Sequence, residues 1–278
     1  MAIKMIFFDL DGTLLTEDKQ VAPAVCEALE RAAAKGIYLV PSTGRFYNGL
    51  PEAVRAFPFL RYVVLINGAC ILDVGSGEIL RRAEIEPETA LRLAKILAEC
   101  DVVHDAYIDG AGYMNRCFEE RIPEVVSNPV LQALILKTRY LVEDLGRYLE
   151  TLNRPVQKMQ AFFADGASRQ SVWRRVESEF PELLVTSSID INMEINVCDA
   201  SKGAALQFLA GHLGIDIAET MAIGDGSNDI SMLRAAGVGV AMGNAAEDVK
   251  AAADYVTDTN ARDGVARAIE KFCLADAL

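Results

Sequence analysis

The sequence predicts an α/β fold: a doubly wound parallel sheet into which a separate α+β module is inserted. Three observations predict it. Short apolar runs alternate with helical periodicities over the first 70 or so residues. The same alternation resumes near residue 190 and continues through the last third. Between about 84 and 190 the rhythm changes to longer helices and isolated strands. Strand, helix, strand at this spacing is the signature of a parallel sheet with crossover helices. The expected division is therefore a sheet domain over 1–82 and 190–278 and an inserted α/β module over 83–189.

The elements follow in order. Met5-Ile-Phe-Phe8 is an uninterrupted apolar run, as in a strand buried on both faces. It runs into Asp9-Leu-Asp11-Gly12-Thr13, where the glycine permits a sharp turn. Residues 23–35 have helical periodicity, with Pro23 in the first turn and Gly36 at the stop. A second strand, 37–41, delivers Ser42-Thr43-Gly44-Arg45, and a further helix is expected after it. A third parallel strand, Tyr62 to Ile66, ends in Asn67-Gly68-Ala69. Residues 70–81 read as a hairpin around Val74-Gly75-Ser76-Gly77.

In the insert the pattern gives helices at 87–100, 143–152 and 167–180. It gives strands near 102–108, 113–117, 157–163 and 183–187. Ile189 to Val197 alternates apolar and polar, as a half-exposed strand of the returning sheet would. Ser201 caps a helix beginning at Lys202. Strand Thr220 to Ile223 leads into Gly224-Asp225-Gly226-Ser227-Asn228-Asp229. Helix 228–236, strand Val238 to Ala241, helix 245–252, strand Tyr255 to Thr257 and helix 264–273 complete the sheet domain.

Bulk properties exclude several classes. Lys and Arg number 27 against 40 Asp and Glu, a net charge of −13. That opposes a nucleic-acid footprint or binding to an anionic membrane. No apolar run approaches the roughly 18 residues of a spanning helix, and the first strand begins without an n-region or cleavage site ahead of it. The six cysteines are scattered with no C-x-x-C pair, which indicates neither disulfides nor zinc. A cytoplasmic protein with free thiols is the expectation.

Ligands of doubly wound sheets sit outside the carboxyl ends of the strands. Asp9 and Asp11, Thr43-Gly44, Asn67 and Asp225 all fall there. Two aspartates at a buried strand end repel each other unless a cation neutralises them, and hard oxygen ligands suit magnesium. Asp9 can act as a nucleophile toward phosphorus. Asp11 can protonate a leaving oxygen and then deprotonate water; that role favours Asp11 beside a metal rather than bound to it by side chain. Asp225 can complete the metal site. Thr43, the N–H groups of Leu10, Asp11 and Gly44, Lys202 and the Asn228 amide can serve a phosphate. An EF-hand loop at 224–229 is excluded by its ligand spacing and the missing closing glutamate.

The four motifs, in this order, resemble those of haloacid dehalogenase (HAD) superfamily phosphatases: Asp9-Leu-Asp11-Gly-Thr13, Thr43-Gly44-Arg45, Lys202-Gly203 and Gly224-Asp225-Gly-Ser-Asn228-Asp229. Asn67-Gly68-Ala69 and Gly237 to Ala245 resemble the Cof-type subfamily, which carries a type IIB α/β cap where the insert lies. The resemblance implies a Mg2+-dependent phosphatase of small phosphorylated metabolites, sugar phosphates foremost, working through an aspartyl-phosphate. It implies Asp9 as nucleophile, Asp11 as acid and base, and metal held by Asp9, Asp225 and the backbone carbonyl of Asp11. Asp229 would hold Lys202. Ser42 stands where alanine is common in the family, and Arg45 is read as the partner of a nearby carboxylate. A phosphomutase and a non-catalytic phospho-ligand sensor are the alternatives. In the insert, His104-Asp105 reads as a surface pair, and Phe162, Phe163 and Trp173 as core. Oligomeric state and substrate-selecting residues of the cap are not legible.

Overall fold

The structure is a computed structural model that describes residues 2–100 and 102–275. The chain divides into two compact units. One comprises Met1–Arg45, Leu50–Arg81 and Ser201–Leu278; the other comprises Phe46–Gly49 and Arg82–Ala200.

The first unit is built on a five-stranded parallel sheet. Its order is Tyr255–Val256, Val238–Ala241, Thr220–Gly224, Met5–Phe8, Tyr38–Pro41. Met5–Phe8 is paired on both sides and has no exposed surface, which is why the sequence needs four consecutive apolar residues there. Met5 and Phe7 pack with Leu206 and Leu209 of helix Lys202–Leu213 and with Met232 of helix Ile230–Ala235. The register fixes the site: Phe8 is level with Ile223 on one side and Pro41 on the other. Residues 9, 224 and 42 therefore leave the sheet at one edge, on chains about 5 Å apart.

The third strand departs from expectation. Tyr62–Leu65 pairs antiparallel with Cys70–Asp73, which neighbours Ile79–Arg82 in a three-stranded sheet. Its parallel pairing to the second strand is the single bridge Ser42–Val64, where Thr43 N donates to Val64 O at 2.9 Å. The equivalent donor two residues earlier is Pro41, which has no N–H, so the ladder stops. The expected helix after Arg45 is only a 3-10 turn at Tyr47–Gly49 and a single helical turn, Glu52–Arg55.

The second unit holds a six-stranded sheet, in the order Leu183–Thr186, Asn192–Val197, Lys158–Phe162, Val103–Ile108, Ala111–Asn115, Arg139–Val142. All pairings are antiparallel except the last. Helices Pro87–Glu99, Leu145–Leu152 and Gly166–Glu179 pack their apolar sides onto one face, over Ala106, Met159, Ala161, Met193 and Ile195. Helix Pro129–Thr138 and strand Arg139–Val142 were not expected from the pattern.

Three expectations are corrected here. Asn192–Val197 belongs to this sheet, not to the parallel one, so the boundary expected at 190 falls between Ala200 and Ser201. Nor is the strand half-exposed. Asn192, Glu194 and Asn196 are buried because each is satisfied: Glu194 accepts from Lys158 Nζ at 2.8 Å, Asn196 donates to the Gln157 carbonyl, and Asn192 Oδ1 accepts from Ser188 and Ile189 N–H. Likewise His104 and Asp105 are not a surface pair. Both are buried, with His104 Nδ1 2.9 Å from the Val102 carbonyl and Asp105 Oδ2 accepting from Arg139 Nε. Phe162 and Phe163 are core, and Trp173 packs against it.

Candidate active site

The site is assembled from the ends of three strands and the start of one helix, all in the first unit. Oxygen atoms of Asp9, Asp225 and Asp229 lie within 4.8 Å of one another. Lys202, fully buried at the first position of its helix, donates to Asp9 Oδ1 at 2.6 Å and to Asp229 Oδ1 at 2.5 Å. Ser201 caps that helix by accepting from Ala204 N–H. Asp229 Oδ2 also accepts from the N–H groups of Asp225 and Gly226, both at 2.9 Å. Asp229 thus spends both oxygens holding the loop and the lysine. Asp9 and Asp225 each spend Oδ1, on Lys202 and on Thr13 Oγ1 (2.6 Å). Their Oδ2 atoms are the better ligands for a cation.

Electrostatics point the same way. Burial, followed by the neighbouring Asp229 and Asp225 charges, pushes the Asp9 carboxyl well up despite the opposing pull of Lys202. Burial and then Asp229 push Asp225 up to about 7, against the Thr13 hydrogen bond. Lys202 is held protonated, its burial outweighed by Asp229 and Asp9. Three carboxylates and one ammonium leave a net negative, partly desolvated cluster of hard oxygens. A divalent cation fits that donor set.

Asp11 is placed differently. Its carboxylate is turned away from the cluster and receives Arg45 in a two-pronged contact, Nε to Oδ2 at 2.7 Å and Nη2 to Oδ1 at 2.8 Å, with Lys19 Nζ at 2.6 Å. Burial opposes this charge, but Arg45 and then Lys19 outweigh it and lower the carboxyl to about 2. The side chain of Asp11 is therefore not a metal ligand in this arrangement. Lys19 was missed in the sequence because it lies in an irregular loop eight residues on.

Gly12 adopts φ +83, and a Cβ there would overlap Asp225 Oδ2, with Asp225 Cγ at 2.8 Å. Only glycine lets this turn close over the carboxylate. Thr43 and Gly44 sit at the end of the second strand, with Thr43 Oγ1 accepting from Arg45 N–H at 3.2 Å. Leu10 is buried, and its carbonyl accepts from Leu15 N–H. Asn228 Nδ2 donates to Asn67 Oδ1 at 3.2 Å. Two asparagines brace the loop after the aspartates: Asn244 donates to the Gly12 carbonyl, and Asn260 donates to the Leu15 carbonyl.

A sheet edge bearing this constellation defines a phosphoryl-transfer type of hydrolase, and comparisons with known proteins agree. The sequence pattern of the haloacid dehalogenase-like hydrolases matches residues 6–269. The chain is 33% identical over 282 residues to phosphatase YwpJ of Bacillus subtilis, covering 95% of this chain and 98% of that protein. It is 31% identical over 273 residues to the same organism's 5-amino-6-(5-phospho-D-ribitylamino)uracil phosphatase YcsE, covering 98% and 96%. The solved HAD subclass IIB sugar phosphatase BT4131 superposes with a TM-score of 0.81 at 27% identity, covering 97% of this chain and 98% of that one. The chain belongs to the haloacid dehalogenase-like hydrolases. It is an enzyme, a phosphatase of the HAD type in the Cof-type branch. Among the described residues no helix is long and apolar enough to cross a membrane.

Proposed function

We propose that this protein hydrolyses small phosphorylated metabolites, sugar phosphates among them, through an aspartyl-phosphate on Asp9 with Mg2+ bound. The observation that carries the reading is the approach of Asp9, Asp225 and Asp229 to within 4.8 Å beside a fully buried lysine. The substrate class is supported by the relatives: YcsE acts on a phosphoribitylamino-uracil and BT4131 is a sugar phosphatase.

The Asp9 carboxylate is the attacking group, and Lys202 fixes it through Oδ1. Asp9, Asp225 and the backbone carbonyl of Asp11 hold the magnesium. The bound ion supplies positive charge that screens the carboxylates from an incoming phosphate and stabilises charge at phosphorus. Thr43 Oγ1, the N–H groups of Gly44 and Leu10, Lys202 and the Asn228 amide receive the phosphate oxygens. Asp11 gives a proton to the leaving oxygen and later takes one from water. In the company of Arg45 and Lys19 it stays ionised down to about pH 2, so the acid step requires it to turn from them.

The test is phosphate release from p-nitrophenyl phosphate with magnesium present. Asp9→Asn keeps the shape and removes the nucleophile, so turnover is expected to vanish. Retained turnover refutes the assignment of Asp9.

A further inference from the structure

Three consecutive residues of the first unit, Ile66, Asn67 and Gly68, have positive φ values of 54, 58 and 102°. Glycine tolerates this and asparagine accepts it, but a β-branched isoleucine does not do so cheaply. Ile66 is nevertheless buried. Strain of this kind persists only where the surroundings hold it, and it gathers at working sites.

The surroundings here are three of the segments already assigned to phosphate. Ile66 N–H donates to the Arg45 carbonyl and Asn67 N–H to the Thr43 carbonyl, both at 3.0 Å, so the turn is laced to the Thr43–Arg45 segment. Gly68 lies against the Ser201 backbone at the start of the Lys202 helix. A Cβ on it would come within 2.6 Å of Ser201 C. The Asn67 side chain accepts from Asn228 Nδ2. Both asparagines are buried, Asn67 at 3% and Asn228 at 7% exposure. An amide carbonyl on Asn67 settles which end of the Asn228 amide faces it.

We infer that Asn67 is a positioning residue for phosphate recognition: the left-handed turn Ile66–Gly68 carries it to Asn228, whose amide it orients. This rests on the reading of Asn228 as a phosphate donor. Asn67 itself does not touch the phosphate.

Asn67→Gly is the decisive variant, because glycine keeps the left-handed backbone and deletes only the side chain. It is to be made alone, with Asn228→Ala, and as the pair, with kcat and KM measured on p-nitrophenyl phosphate in magnesium and thermal unfolding followed in parallel. Asn228→Ala is expected to lower kcat/KM at least tenfold, as for loss of one donor to a charged group. Asn67→Gly is expected to lower it about fivefold with an unfolding temperature reduced by no more than about 5 °C, and to cost less than about twofold further in the Asn228→Ala background, since the two act as one unit. Asn67→Asp, which keeps an acceptor, is expected to recover part of the loss in kcat. A harmless Asn67→Gly beside a damaged Asn228→Ala overturns the inference alone. Equal losses with and without Asn228 also overturn it, since Asn67 then acts by another route. A harmless Asn228→Ala overturns both the inference and the role of Asn228.

Discussion

Replacing Gly12 by alanine separates two costs that usually travel together. The first is conformational: at φ +83 a Cβ costs about 1–2 kcal/mol. For a chain of this size that lowers the unfolding temperature by only about 2–6 °C. The second is local: the new methyl overlaps Asp225 Oδ2, and Cγ and Oδ1 of the same carboxylate lie at 2.8 and 2.9 Å. Asp225 is short, and Thr13 holds it at 2.6 Å, so it must move by about 1 Å. It then leaves the arrangement that brings it near Asp9. A shift of that size costs on the order of a hundredfold in rate. Gly36 is the control. Its φ is +79, but nothing lies within 4 Å of a Cβ there, so Gly36→Ala pays the conformational cost alone. The assay is phosphate release over a magnesium titration, with unfolding temperatures for both variants. Gly12→Ala is expected to be nearly inactive and to need more magnesium, and Gly36→Ala to be active and slightly less stable. A Gly12→Ala protein with ordinary turnover and magnesium demand refutes the reasoning.

Two further outcomes follow from the same cluster. Lys202→Met leaves Asp9 and Asp229 buried without their shared cation, which costs about 3–5 kcal/mol; the unfolding temperature should drop by roughly 10 °C in chelator and by less with magnesium, and an equal drop in both refutes the compensation. The Asp225 carboxyl, raised to about 7 in the folded protein, binds its proton more tightly folded than unfolded. The stability it lends is complete below its unfolded value near 4 and is lost as pH rises through about 7. A cation needs the ionised form, so apparent magnesium affinity should be about thirtyfold weaker at pH 5.5 than at pH 8; calorimetric titrations that agree at the two pH values count against the site.

Much of this was legible in the residues themselves. Met5–Phe8 has no polar atom in its side chains, and Asp9 and Asp11 follow at once, so strand, turn and acid cluster come from one stretch. Ser201 before Lys202 marks the helix start by an ordinary cap. What could not be read depends on pairing at a distance. Glu194 looks like the wet side of a strand until Lys158 is set against it. Arg139 begins a strand because Asp105 and Tyr107 receive its guanidinium, while the residues just before it are too uniformly apolar to show a period. Arg45 was recognisable as a carboxylate's partner, but nothing in the spacing named Asp11 or brought in Lys19. The left-handed backbone at Ile66 was invisible, since isoleucine predicts the opposite.

The register that sets Phe8 beside Ile223 also dictates when the enzyme can become active. Lys202 reaches Asp9 across 193 residues of chain and Thr13 reaches Asp225 across 212. A ribosome must therefore emit the segments around Lys202 and Asp225 before the first acid finds its partners. Meanwhile the second unit, Phe46–Gly49 with Arg82–Ala200, has all its residues once Ala200 is made, so it has the shorter search. During synthesis Met5–Phe8 can pair with Tyr38–Pro41 early, but its other edge waits for Thr220–Gly224, and until then the parallel sheet is incomplete.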